Sequence, residues 1–148
     1  MNIIFHALLG LLLPKLSGIS SIPGVLMAVL FSVFPDFDHI PYLKRAFRTG
    51  RFGVESRSLL HELVGLVLVL SGSLVVKVVC SNLFLLAFSC GISHFVVDFL
   101  TRPCRPLYPF SVKKVDLNLY PRGLKEMFIW DTILTAALGL IYVIITTI

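Results

Sequence analysis

The sequence predicts an all-α fold: one integral-membrane helical bundle of four to five membrane-embedded segments, forming a single domain over residues 1–148. Three observations carry that expectation. Hydrophobic residues make up 57% of the chain and the mean hydropathy is +0.94, above the roughly 45–50% apolar usage of soluble domains. Charged residues are only 14% and they cluster. The long apolar runs between the clusters are punctuated by proline, glycine and serine, which end helices and make turns.

Residues 3–13 read as a short apolar helix of about 17 Å closed by Pro14. That is less than the ~30 Å hydrocarbon core, so the segment is a half-span, a tilted helix continuing past Pro14, or an interfacial helix. His6 is its one ionisable side chain, and no basic leader or small-x-small cleavage site marks a removed signal peptide. After a Ser/Gly turn, residues 22–34 resume as apolar helix and run into Pro35-Asp36-Phe37-Asp38-His39-Ile40-Pro41. Carboxylates at a helix C-terminus face the negative end of the macrodipole, so Asp36 and Asp38 call for a cation or for the arginines that follow. Residues 42–57 form a basic loop holding Lys44, Arg45, Arg48, Arg51 and Arg57. Residues 58–80 are long enough to span and begin Ser58-Leu59-Leu60-His61-Glu62. Residues 83–100 return and carry His94 and Asp98 in their last turns. A proline-rich basic loop over 102–125 precedes a final span that starts at Leu124 or Met127 and runs to Ile148. Cys80, Cys90 and Cys104 lack metal-ligand spacing and read as packing residues.

Threading these segments alternately through a bilayer puts eleven of the thirteen Lys and Arg residues on one side, with Lys15 and Lys77 on the other. The positive-inside rule makes the loaded side cytoplasmic. The net charge of +5 is therefore a topology signal and an affinity for anionic lipid headgroups, not a sign of direct nucleic-acid binding. With the N-terminus inside, His6, Asp36, Asp38, His39, His61, His94 and Asp98 all reach the cytoplasmic face, and these include every histidine of the chain. Unrelated interfacial residues have no reason to sort that way; ligands of one divalent metal site do. His94 and Asp98, four residues apart, share a helix face. Alone, that pair would equally suit a hydrogen bond between helices. A transporter needs ionisable groups near the bilayer midplane. The span centres here carry only Ser, Gly, Cys and Thr, as in Ser71-Gly72-Ser73 and Ser89-Cys90.

Three motifs also carry a family resemblance. Phe34-Pro35-Asp36-Phe37-Asp38-His39, Arg57-Ser58-Leu59-Leu60-His61, and Ser93-His94-Phe95-Val96-Val97-Asp98-Phe99-Leu100-Thr101 with Tyr108-Pro109-Phe110-Ser111 occur in that order. With His6, the set resembles the LexA-binding, inner-membrane-associated metal-dependent hydrolase family over nearly the whole chain. Where that family has His-Arg-x-x-Thr-His-Ser, this chain has Ser56-Arg57-Ser58-Leu59-Leu60-His61-Glu62. The first His, the Thr and the Ser are thus replaced. The ligand order is also similar to that of bacterial zinc-dependent phospholipases C, which implies phosphoester chemistry. Their later His-x-x-x-Glu motif has no counterpart here, so a three-metal cluster is not expected.

The expected site is a mono- or dinuclear centre of divalent metal, zinc by ligand type, at the cytoplasmic face of a multi-pass protein of the inner membrane. His94, Asp98, His61 and a carboxylate of Asp36 or Asp38 form its main shell. His6 completes a second metal or caps the first, and Asp98 bridges if two ions bind. Arg57, one turn before His61, would stabilise an anionic transition state. Glu62 or His39 is the expected general acid or base. Membrane placement favours phosphoester or lipid-like substrates. The competing expectation is a non-enzymatic membrane protein, its metal cluster stapling short helices while the basic loops bind a cytoplasmic partner. Structural zinc sites are closed, whereas catalytic ones keep a position for water.

Overall fold

The computed structural model describes residues 2–38, 59–117, 119–121 and 123–147, the side chains of residues 38, 59 and 124 excepted. Within them the chain is all-helical: α1 (Ile3–Leu16), α2 (Ile22–Val33), α3 (Leu63–Val79), α4 (Phe84–Thr101) and α5 (Leu124–Thr147). Short 3₁₀ turns at Phe34–Asp38 and Leu59–His61 follow α2 and precede α3. The loop after α4 is pinned by an isolated antiparallel bridge between Cys104 and Val115. Two segments, Ser81–Thr101 and Lys125–Thr147, are both long and apolar enough to cross a bilayer. α1, α2 and α3 are apolar but shorter, at 14, 12 and 17 residues.

Local chemistry sets the helix ends. The Asn2 side chain accepts a 2.8 Å hydrogen bond from Phe5 N–H and starts α1. Ser21 does the same for α2 through Gly24 N–H at 3.4 Å. Pro14 does not end α1, which runs on to Leu16. Proline has no N–H to donate to the Gly10 carbonyl one turn back, so α1 gives up one intrahelical bond there and continues. The terminator is Gly18, at φ 69°. Ile19 N–H donates to the Pro14 carbonyl at 2.8 Å and Gly18 N–H to Lys15 at 3.1 Å, the paired bonds of a Schellman cap, whose left-handed position suits glycine.

Small residues at four-residue spacing form the buried seams. His6, Gly10 and Pro14 are buried on α1, Gly24, Ala28 and Ser32 on α2, Gly65, Val69 and Ser73 on α3. α4 buries Ala87, Gly91, His94 and Asp98. Without a hydrophobic drive between helices in lipid, close backbone approach through small residues is what holds them together. A Cβ on Gly10 would stand 2.9 Å from the Val29 Cα, and one on Gly91 would stand 2.2 Å from Val69 Cγ1. Those two glycines set the α1–α2 and α3–α4 separations. α2 packs on α4 through Ala28, Leu83, Leu86 and Cys90, with Met27 and Phe31 against them. α5 leans on α1 and leaves most of its apolar surface uncovered, Phe128, Ile133, Leu140 and Val143 among it.

Candidate metal centre

The buried seams lead directly to the site. Continuing the Gly24–Ala28–Ser32 stripe by four residues reaches Asp36, in the 3₁₀ turn beyond α2. On α1 the stripe begins at His6, and on α4 it ends at His94 and Asp98. His61 ends the 3₁₀ turn that leads into α3. One end of the bundle thus gathers the start of α1, the end of α2, the approach to α3 and the end of α4.

Five of the sequence-predicted residues meet there. His61 Nε2 lies 3.3 Å from Asp36 Oδ1, 3.4 Å from His94 Nε2 and 3.7 Å from Asp98 Oδ2. His94 Nε2 is 3.9 Å from Asp36 Oδ1, and His6 Nε2 is 3.5 Å from Asp98 Oδ1. The His6 and His94 rings stack at 3.8 Å between centroids. Ligands about 2.0–2.1 Å from a tetrahedral zinc stand roughly 3.3–3.4 Å from one another. The donor separations here are of that size or slightly looser. Among the described residues, two triads satisfy a metal-sized grouping, Asp36–His61–His94 and His6–His94–Asp98.

His94 belongs to both, and its tautomer limits what it can do. Its Nδ1 donates to the Ser32 carbonyl at 2.7 Å. A carbonyl can only accept, so Nδ1 carries the proton and the Nε2 lone pair faces the cluster. This backbone partner orients the imidazole as an outer hydrogen bond orients a ligand. One lone pair serves one metal at a time. A second ion would therefore rest on His6 and Asp98, whose two oxygens face His6 and His61 respectively.

His6 gives the clearest sign of a missing positive partner. It is 0% exposed, and among the described residues neither ring nitrogen finds a hydrogen-bond partner. Leaving a buried polar group unsatisfied costs about 1–3 kcal/mol, and ligation removes that cost. Burial pushes the Asp36 carboxyl up, but the bond from His61 and the charges of His94, His6 and His61 outweigh it and hold it below its usual value.

Other predicted residues fall differently. Glu62 is 3% exposed beside His61. Its Oε2 accepts from Arg105 N–H at 2.9 Å and its Oε1 from Arg105 Nε at 3.2 Å. The side chain of Asp38, and all of His39 and Arg57, lie outside the described residues. A cavity of about 340 Å³ adjoins the cluster, with His61, Glu62 and Asp98 in its lining and Leu66, Ile92 and Phe95 among its apolar walls. Sequence reasoning missed the Ser32 carbonyl and Arg105. The four-residue step from Ser32 to Asp36 was a usable signal for the first; nothing local pointed to the second.

A family model described as YdjM inner membrane protein matches residues 1–148. No curated protein and no solved structure matches the chain.

Proposed function

The chain belongs to the YdjM inner membrane protein family, and from that premise we propose that it is a membrane-bound, metal-dependent hydrolase. In this reading it is a multi-pass protein of four to five embedded segments, with the site and basic loops facing the cytoplasm. The observation that carries the reading is the convergence of His6, Asp36, His61, His94 and Asp98, all buried, with both His6 nitrogens lacking a hydrogen bond among the described residues. His61, His94 and Asp36 would hold the first ion, and His6 with Asp98 a second or the remaining positions of the first. The donor set of imidazoles and carboxylates suits zinc. Bound zinc supplies a water of pKa about 7 and polarises a phosphoryl or carbonyl oxygen.

The chain's own residues supply the rest. Glu62, held by Arg105 and lining the cavity, would exchange a proton with a reacting group, with His39 the other candidate. Arg57, four residues before His61, would meet the charge of a phosphoester or lipid-like substrate. The basic loops would hold the protein against anionic headgroups.

One observation favours the non-enzymatic reading. The donors are nearly sealed, His6 and His94 at 0% exposure, as in a closed structural centre. Metal analysis with turnover separates the two. Purified protein is expected to retain one or two divalent ions per chain and to hydrolyse bis(p-nitrophenyl) phosphate, with activity lost to a chelator and restored by Zn²⁺. His94→Ala should lower metal content while leaving membrane insertion intact. Bound metal without turnover on phosphoester or lipid substrates would select the structural reading. Metal-free wild type after metal-supplemented expression would remove both.

A further inference from the structure

We infer that the cavity between α3 and α4 binds the hydrocarbon chain of a lipid ester drawn from the bilayer, placing the ester linkage beside His61 and Asp98. The inference rests on the hydrolase reading and narrows its substrate class from phosphoesters at large to lipids held by one apolar chain.

The shape of the cavity argues for it. Its volume of about 340 Å³ lies at the small end of the ~300–1,000 Å³ range of small-molecule pockets, which suits one chain rather than a bulky headgroup. His61, Glu62 and Asp98 line it, with His61 and Asp98 3.7 Å apart. Leu66 of α3 and Ile92 and Phe95 of α4 are among its apolar lining, and Cys104 and Pro106 line it beyond α4. Ile92 precedes Asp98 by six residues, about 9 Å along the helix, so the apolar part extends from the metal-binding end toward the middle of the span. There the seam closes, because Val69 seats against Gly91 with no room for a Cβ. Val96, Phe99 and Leu100 also line the cavity and are 48%, 37% and 42% exposed. On a helix long and apolar enough to cross the bilayer, those faces meet lipid tails. The cavity is thereby continuous with the surface from which a chain would enter. A water-soluble phosphoester would gain nothing from such walls, whereas each methylene moved into them stays out of water at no loss.

The test uses the full chain in phosphatidylcholine nanodiscs with a trace phospholipid carrying a mid-chain diazirine. Photolabelling followed by mass spectrometry should enrich Leu66, Ile92 and Phe95 over the lipid-facing residues Ile133 and Leu140 of α5. Ile92→Trp, which fills the cavity, should reduce that enrichment at least tenfold with metal content unchanged. Dodecyl phosphate should displace the label and inorganic phosphate should not. Labelling spread evenly over the exposed helices, labelling indifferent to Ile92→Trp, or displacement by inorganic phosphate alone would overturn the inference. If Ile92→Trp does not insert, the wild-type label map decides by itself. Enriched labelling in protein that binds no metal would sustain the chain site while removing the hydrolase reading. Metal-dependent turnover without enrichment would do the reverse.

Discussion

At Asp98 the metal and packing readings make opposite demands on one carboxylate. Its two oxygens face His6 at 3.5 Å and His61 at 3.7 Å. If they share a cation, Asp98→Asn keeps the size and one oxygen but removes the charge that offsets the ion. Metal affinity and any hydrolysis should then fall together. If Asp98 only accepts hydrogen bonds, asparagine keeps an acceptor and the change costs about 1 kcal/mol. Metal stoichiometry and thermal unfolding on one preparation distinguish these outcomes, and unchanged metal content would take Asp98 out of the coordination set. His6→Leu probes the same question from the other side. In a metal-bound protein it should lower occupancy and the unfolding temperature. In a protein that binds no metal it removes a buried imidazole that faces Asp98 at 3.5 Å, so stability should change by only about 1 kcal/mol.

The elements are positioned by contacts one or two turns from the ligands. Gly91 sits three residues before His94, and Val69 seats against it. Gly91→Ala should therefore push α3 from α4, costing about 1–3 kcal/mol by overpacking and loosening metal binding by separating His61 from His94. Adding Val69→Ala removes the methyl that Gly91→Ala meets. The double variant should recover part of both losses, a non-additivity read by thermal unfolding and metal titration. Additive losses would mean that the seam does not set the site. α5 is tied differently. Asp131 accepts from the Tyr120 hydroxyl and lies 3.6 Å from Arg102 Nη2, and Asn2 Nδ2 donates to Thr135 Oγ1 at 3.1 Å. Burial and the Asp131 carboxylate both push the Tyr120 phenol up, keeping it a donor. These polar ties sit at the site end of the bundle and hold a helix whose apolar surface is otherwise left to lipid.

For the whole molecule, the arrangement is four alternating helices whose chemistry lies at one end, with α5 starting at that same end. The eleven-to-two division of basic residues predicts that this end is cytoplasmic. Reporters fused within residues 42–57 or 102–123 should report the cytoplasm, and one within residues 79–81 the outside. Basic loops on opposite faces would contradict the alternating thread, and the site could not then be shared by α1, α2, α3 and α4. α3 spans about 26 Å at 1.5 Å per residue, short of the ~30 Å core. A thinned bilayer or added non-helical turns at its ends would accommodate it.

The sequence by itself determined the helical class, the apolar segments and five donors that meet, His6, Asp36, His61, His94 and Asp98. It could do so because hydropathy, the four-residue helix repeat and charge asymmetry are local properties that survive without coordinates. Whether α1 stops at Pro14 or continues past it stayed open in the sequence, because a proline's missing N–H is easier to see than the left-handed glycine that closes the helix four residues later. Only the tertiary structure decided that His94 is oriented by the Ser32 carbonyl, that Glu62 is held by Arg105, and that His94 is shared by two triads. Each of these joins residues distant in the chain, and the distances between them are set by where small residues let the helices touch.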